Sequence, residues 1–231
     1  MLDFDGRVVV VTGGTGALGA AIVKVIVERG GTCVVPSHRG GDSPTIAGPG
    51  TVEVVGGVDL SDERSVEAFY AGVKGQLWGS VHAAGGFAMG NLEKTGKGDF
   101  LKMMETNAVT AFLCCREAVK RMRAGGGGGR IVNVSSKVAL QAAGGMVAYA
   151  ASKAAVASIT QSLAEEVAQE GIWVNAVLPS IMDTPANRAA MPGADFTKWP
   201  KVEEVAETVA FLVSPENRVT RGGLVPVYGR S

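Results

Sequence analysis

The sequence predicts one α/β domain, a doubly wound parallel sheet of about seven strands flanked by helices. Three observations predict it. Short β-branched runs alternate with longer segments whose apolar residues recur at three- to four-residue spacing. No hairpin signal separates consecutive strands, so each crossover is helical, right-handed and returns to a parallel neighbour. The length, 231 residues, buries a substantial core yet stays within the range of one large domain, so residues 1–231 are read as a single unit.

In order, Arg7–Thr12 is the first strand, with four consecutive valines before its closing threonine. A glycine turn leads into the helix Ala17–Arg29, whose apolar residues recur with helical period. Thr32–Pro36 and Thr51–Val55 are the next strands, the helix Asp62–Lys74 follows, and Ser80–Ala84 is the fourth strand. The long helical pattern Asp99–Arg123 precedes the strand Arg130–Val134, and Val147–Glu170 precedes Ile172–Val177. Val202–Val213 is the last helix and Leu224–Val227 the last strand. Gly125–Gly129 reads as a flexible turn at the amino-terminal edge of the sheet. Ligands of such sheets bind beyond the carboxyl ends of the strands, where strand order reverses. Residues 183–200, from Asp183 to Pro200, lack strand character, and they are expected to cover a substrate there.

Basic and acidic residues balance at 22 each and the sequence pI is about 6.7, so no global field gathers nucleic acid or an anionic membrane. A small molecule is the expected partner. Cys33, Cys114 and Cys115 have neither the even count of a disulfide framework nor the spacing of a zinc site. They imply a reducing cytoplasm and no metal, with Cys114 and Cys115 as small core or interface residues. Asp3 and Asp5 stand where a signal peptide needs basic residues, and no apolar run approaches the roughly 20 residues that span a bilayer.

The first strand runs straight into Gly13-Gly14-Thr15-Gly16-Ala17-Leu18-Gly19 and then a helix. A glycine turn there lets the backbone approach a pyrophosphate, whose charge meets unpaired N–H groups and the positive end of the helix dipole. This is the strand, turn and helix order of a Rossmann-type dinucleotide site. At the end of the second strand an acid would accept from a ribose 2′-hydroxyl and repel a 2′-phosphate. Ser37, His38 and Arg39 stand there instead, and Arg39 can pair with a phosphate in fork geometry, which favours NADP(H) over NAD(H).

Tyr149 and Lys153 lie one helical turn apart on the same face. A phenol titrates near about pH 10, and an ammonium one turn away is expected to favour the phenolate, making Tyr149 a general acid or base.

Together these motifs resemble the short-chain dehydrogenase/reductase family over nearly the whole chain. The family's glycine pattern is shifted here, with Gly16 where a variable residue is usual and Ala17 in place of a glycine, a spacing found in extended members. The resemblance implies that Ser136, thirteen positions before Tyr149, polarises the substrate carbonyl, with Ser135 as the alternative. It implies that Lys153 also holds the nicotinamide ribose, and that Asn107 kinks its helix and holds a water linking the lysine to solvent. It assigns Asp59 and Leu60 to the adenine, although an Asp there also suits capping of the next helix. Ala84, Gly85 and Gly86 would pass close to the adenine ribose. His82, where the family has asparagine, is read as a structural replacement. Pro179 and Ile181 would flank the nicotinamide, with Ser180 in place of a glycine, and Thr184 would reach the carboxamide or pyrophosphate or else cap a short helix at Pro185.

Asp183–Arg188, Met191–Phe196 with Trp199, and Ala84–Asn91 resemble more narrowly the quinonoid dihydropteridine reductases, although that branch lacks the catalytic serine and usually carries an acid after the second strand. The expected activity is hydride transfer between NADP(H) and a carbonyl or alcohol. Reduction of a quinonoid pterin or similar planar ring is the alternative chemistry, and a non-catalytic dinucleotide sensor is the alternative class. Phe87, Met89, Met146, Met182, Met191 and Trp199 are candidate apolar walls or core residues. The resemblance also implies a homodimer or homotetramer through Asp99–Arg123 and Val147–Glu170.

Overall fold

Valines dominate the first strand because both of its faces are covered and both of its edges are paired. The structure, a computed structural model, describes residues 3–39 and 46–231. Its sheet contains β1 (Val8–Thr12), β2 (Thr32–Ser37), β3 (Thr51–Gly56), β4 (Leu77–His82), β5 (Gly129–Val134), β6 (Ile172–Pro179) and β7 (Leu224–Val227). All pairings are parallel, in the order β3-β2-β1-β4-β5-β6-β7. Strand order therefore reverses between β1 and β4, which puts a crevice at their carboxyl ends.

Side-chain alternation divides the core. Val9 and Val11 join Ile22, Val23 and Ile26 of α1 (Ala17–Glu28) and Val209 and Leu212 of α7 (Val202–Val213) on one face. Val10, Leu77 and Ile131 point the other way, into Phe69 and Tyr70 of α2 (Glu63–Gly72) and Leu113 and Met122 of α4 (Thr110–Ala124). Ala164 of α5 (Val147–Glu166) lies in that second layer. Two shorter helices, α3 (Lys97–Met103) and α6 (Pro185–Ala190), stand over the carboxyl edge.

Several boundaries differ from the sequence reading. The fourth strand is Leu77–His82 rather than Ser80–Ala84, because Gly79 belongs to it: a Cβ there would lie 2.7 Å from a Val213 methyl of α7. The expected single helix Asp99–Arg123 is α3, a π-helical stretch at Met104–Val109, and α4. The last helical turn before β6, Ala168–Glu170, is 3₁₀ rather than α. Gly125–Gly129 does turn at the amino-terminal edge, with positive φ at Gly126, Gly127, Gly128 and Gly129. Among the described residues no helix is long and apolar enough to cross a membrane.

Candidate active site

The β1–α1 turn is packed as tightly as backbone allows. Gly13 has φ +68°, and a Cβ on it would stand 2.7 Å from the Ala84 nitrogen; one on Gly19 would meet the Gly13 oxygen at 2.0 Å. Thr12 ties the same two strand ends together, its hydroxyl accepting from Ala84 N–H at 3.2 Å and its carbonyl from Ala83 N–H at 3.2 Å. Helix α1 starts at Gly16 without a side-chain cap, leaving the N–H groups of its first turn to an external acceptor. Thr15, Gly16 and Ala17 are exposed on that mouth, while Leu18 and Gly19 are buried beneath it. Gly16 has φ −85° and a Cβ there would approach only the Gly13 oxygen, at 3.3 Å, so the shifted glycine leaves the mouth open. The cradle fits a pyrophosphate.

Ser37 is half-buried at the end of β2, and His38 and Arg39 are exposed beyond it. Asp59, after β3, accepts from the Ser61 N–H at 2.8 Å and hydroxyl at 2.7 Å. Hydrogen bonding to Ser61 holds its carboxyl below the usual range, with a smaller contribution from His38. The helix cap next door belongs to Asp62, which accepts from Ser65 N–H at 2.7 Å, so Asp59 is not the capping residue. Leu60 is half-buried and packs at the edge of the second core layer.

Gly85 and Gly86 are glycines because α3–α4 comes close. A Cβ at Gly85 would lie 2.6 Å from Asn107 Oδ1 and 3.3 Å from Lys153 Nζ. Asn107, buried in the π-helical stretch, clamps the loop: its Oδ1 accepts from Gly86 N–H at 3.0 Å and its Nδ2 donates to the Gly86 carbonyl at 3.0 Å. The same Nδ2 donates to Ser152 Oγ at 3.1 Å, and Ser152 Oγ donates to the Tyr149 carbonyl at 2.7 Å. Asn107 thus joins the β4 loop to the helix bearing Tyr149 and Lys153. Ser152, the middle link, escaped the sequence reading because a serine inside a helix carries no motif.

The two serines after β5 separate cleanly. Ser135 is buried and donates to the Lys153 carbonyl at 2.7 Å. Ser136, on the next turn of chain, is instead near enough to the Tyr149 phenol to lower its pKa. Lys153 is buried, with Nζ donating to the Val134 carbonyl at 3.0 Å and lying 5.9 Å from the centre of the Tyr149 ring.

The titration of this pair runs against the sequence expectation. Burial raises the Tyr149 phenol above its ordinary value, opposed by the nearby Ser136, and the nearby ammonium does not reverse it. Burial also brings Lys153 down to about 8. Lys153 Nζ is turned to the Val134 carbonyl of β5, and Phe87 packs edge-on against the Tyr149 ring at 4.9 Å and 85°.

Pro179 ends β6 buried, Ile181 is exposed two residues on, and Ser180 Oγ donates to the Tyr228 carbonyl at 2.8 Å. Thr184 caps α6, accepting from Asn187 N–H at 3.2 Å. The 183–200 excursion is closed at its base, where Asp183 N–H donates to the Pro200 carbonyl at 2.9 Å. Trp199 is buried against Phe196 and Met182 packs on the core, whereas Phe87 and Met89 remain 59% and 62% exposed at the crevice. His82 is buried: Nδ1 pairs with Asn133 Oδ1 at 2.8 Å and Nε2 with Ser80 Oγ at 2.9 Å, which makes it a brace between β4 and β5. Cys114 and Cys115 are buried with their thiols pushed upward by desolvation.

Residues 7–195 match the family profile described as short chain dehydrogenase. The chain is 29% identical over 265 residues to the 3β-hydroxysteroid dehydrogenase of Mediterraneibacter gnavus, covering 98% of this chain and 95% of that protein. It is 32% identical over 243 residues to the uncharacterized oxidoreductase YgfF of Escherichia coli, covering 96% and 98%. A solved short-chain type dehydrogenase/reductase from Mycobacterium ulcerans is similar in fold, with a TM-score of 0.90 at 24% identity over 99% of this chain and 90% of that one.

Proposed function

The chain belongs to the short-chain dehydrogenase family and is an NAD(P)-dependent oxidoreductase, and from that premise we propose that it interconverts a carbonyl compound and its alcohol using NADP(H), with Tyr149 as general acid or base. The observation that carries this reading is the convergence of Ser136, Tyr149 and Lys153 beside the glycine cradle at the β1–β4 crevice. Gly13, Thr15, Gly16, Ala17, Leu18 and Gly19 hold the pyrophosphate through backbone N–H groups. Ser37, His38 and Arg39 meet the 2′-phosphate, and Asp59 and Leu60 border the adenine. Ala84, Gly85 and Gly86 line the ribose, while Pro179, Ile181 and Thr184 border the nicotinamide.

When bound, the dinucleotide supplies or accepts the hydride. Ser136 donates a hydrogen bond to the carbonyl oxygen, and Tyr149, kept protonated at neutral pH by burial, passes its proton to that oxygen as the alcohol forms. Lys153, titrating at about 8, is positioned to restore the proton balance of the site and to hold the ribose. Asn107 fixes the loop and helix relative to each other. Residues 183–200 cover the substrate. Three buried thiols accord with a reducing, cytoplasmic setting.

Side-by-side calorimetric titration with NADPH and NADH tests the cofactor reading. NADPH is expected to bind at least tenfold more tightly, and Arg39→Ala to weaken NADPH far more than NADH; equal losses would remove Arg39 from 2′-phosphate recognition. A screen of ketones and quinonoid pterins with the tighter cofactor then tests the reaction, and turnover of pterins alone would overturn the carbonyl reading.

A further inference from the structure

Residues 228–231 follow β7 directly and meet three separate segments at the carboxyl edge of the sheet. The first is the loop after β6, where Ser180 Oγ lies 2.8 Å from the Tyr228 carbonyl oxygen and 2.7 Å from Ser231 Oγ. The second is the turn after β5. There Lys137 Nζ donates to the Ser231 main-chain oxygen at 3.0 Å and stands 5.1 Å from the centre of the Tyr228 ring. The third is the far end of the 183–200 excursion, where the Lys198 carbonyl accepts from Arg230 N–H at 2.8 Å. Gly229 is pressed against that end: its φ is +61°, and a Cβ on it would stand 2.8 Å from the Lys198 oxygen and 2.9 Å from the Pro200 nitrogen.

Each of these segments carries part of the site. Lys137 follows Ser136, which stands at the head of the 3₁₀ turn Lys137–Ala139. Ser180 separates Pro179 from Ile181, and Pro200 closes the excursion onto Asp183 through the 2.9 Å bond from Asp183 N–H. Two side chains from different loops and the backbone of a third segment therefore converge on one stretch of four residues. A shift of that stretch is felt by all three at once.

We infer that residues 228–231 are a latch, and that Ser180 and Lys137 are positioning residues acting through it. They hold the Ser136 turn, the loop after β6 and the excursion in the arrangement that receives the substrate. The inference rests on the carbonyl reading above and adds to it the residues that set the affinity for the ketone.

The test is a set of variants assayed with NADPH and a ketone that the native enzyme reduces. Ser180→Ala and Lys137→Met are each expected to raise KM about five- to tenfold while kcat and NADPH affinity stay within about twofold, and Lys137→Arg, which keeps a donor, to restore KM. Gly229→Val displaces the stretch, so in that background the other two changes should alter KM less than about twofold further, because all three act through one element. Unchanged KM in both single variants, or losses that multiply in the combined ones, overturns the latch; if Gly229→Val does not fold, the Ser180→Ala and Lys137→Met pair supplies the same cycle. Amide hydrogen exchange of the NADP⁺-bound enzyme gives a readout apart from turnover: residues 181–200 should exchange at least about threefold faster in Ser180→Ala, and unchanged exchange there also overturns the latch. A native enzyme that reduces no ketone sinks the carbonyl reading alone, and the exchange rates then decide the latch.

Discussion

Tyr149 and Lys153 are moved in opposite directions by one cause. Burial disfavours whichever form is charged, so the phenol is raised and the ammonium lowered to about 8. A tyrosine held protonated suits proton donation in reduction, and the rate of reduction should then depend on the protonated lysine. The expected kcat/KM for ketone reduction is level below about pH 8 and falls as pH rises through that value, because Lys153 loses its proton there. Replacing Lys153 with methionine should abolish that limb; a limb unchanged in the variant assigns it to another group. Tyr149→Phe should lower turnover by about 10²- to 10⁴-fold while NADPH affinity stays within a few-fold, and full activity in that variant removes Tyr149 from the chemistry.

At the scale of elements, Asn107 and His82 show how the secondary structure is braced for function. Asn107→Ala would remove the partners of both the N–H and the carbonyl of Gly86, at a cost of about 1–3 kcal/mol, and would loosen the link between the Phe87 loop and α5. Its expected signature is a larger loss in kcat than in cofactor affinity, measured by turnover and titration; a change confined to melting temperature would mark Asn107 as a fold brace only. His82 is buried with its pKa brought down to about 4 by desolvation, so folding keeps it neutral. The stability it contributes is complete above about pH 6.5 and is lost as pH falls toward about 4, amounting to about 3 kcal/mol. Urea unfolding at pH 7 and pH 4.5 should show that loss in the native chain and a smaller one in His82→Asn; equal losses would assign the effect to carboxylates.

The same elements mark what was legible in advance. Periodicity located the seven strands, because short β-branched runs between helical patterns stand out whether the strand is buried on both faces, as β1 is, or half-exposed at a sheet edge, as β3 and β7 are. It placed β4 three residues late because Trp78 and Gly79 do not resemble a buried strand, and only the contact of Gly79 with Val213 of α7 explains the glycine. The π-helical stretch at Met104–Val109 is invisible to apolar spacing, which continues through it; the break at Asn107 was expected from the family resemblance alone, and the residue sits there clamping Gly86. Spacing grouped Ser136, Tyr149 and Lys153 as candidates, and what it left open between the two serines the fold separates: Ser135 is committed to the Lys153 carbonyl, while Ser136 acts on the phenol. Burial of the ammonium could not be read from a one-turn separation, so the direction of the tyrosine shift was missed.

For the whole molecule, the exposed apolar surface points to assembly. Phe100 and Leu101 of α3, Val109 of the π-helical stretch and Phe112 of α4 are exposed on one continuous helical segment, far from the cofactor cradle in sequence. Scattered apolar residues are ordinary on a protein surface, but a succession of large ones along a helical segment is expensive to leave in water. The family resemblance implies self-association through this segment and α5, whose alanines admit close helix packing. The purified protein should therefore scatter light with a mass of at least twice the 23.6 kDa of one chain. Phe112→Arg, which sets a charge among those exposed apolar residues, should shift it toward monomer while leaving the far-ultraviolet circular dichroism unchanged. A native chain that remains monomeric at about 100 μM, roughly 100 times a micromolar dissociation constant, would retire this interface. A native dimer indifferent to Phe112→Arg would instead move the contact to another face, such as that of α5.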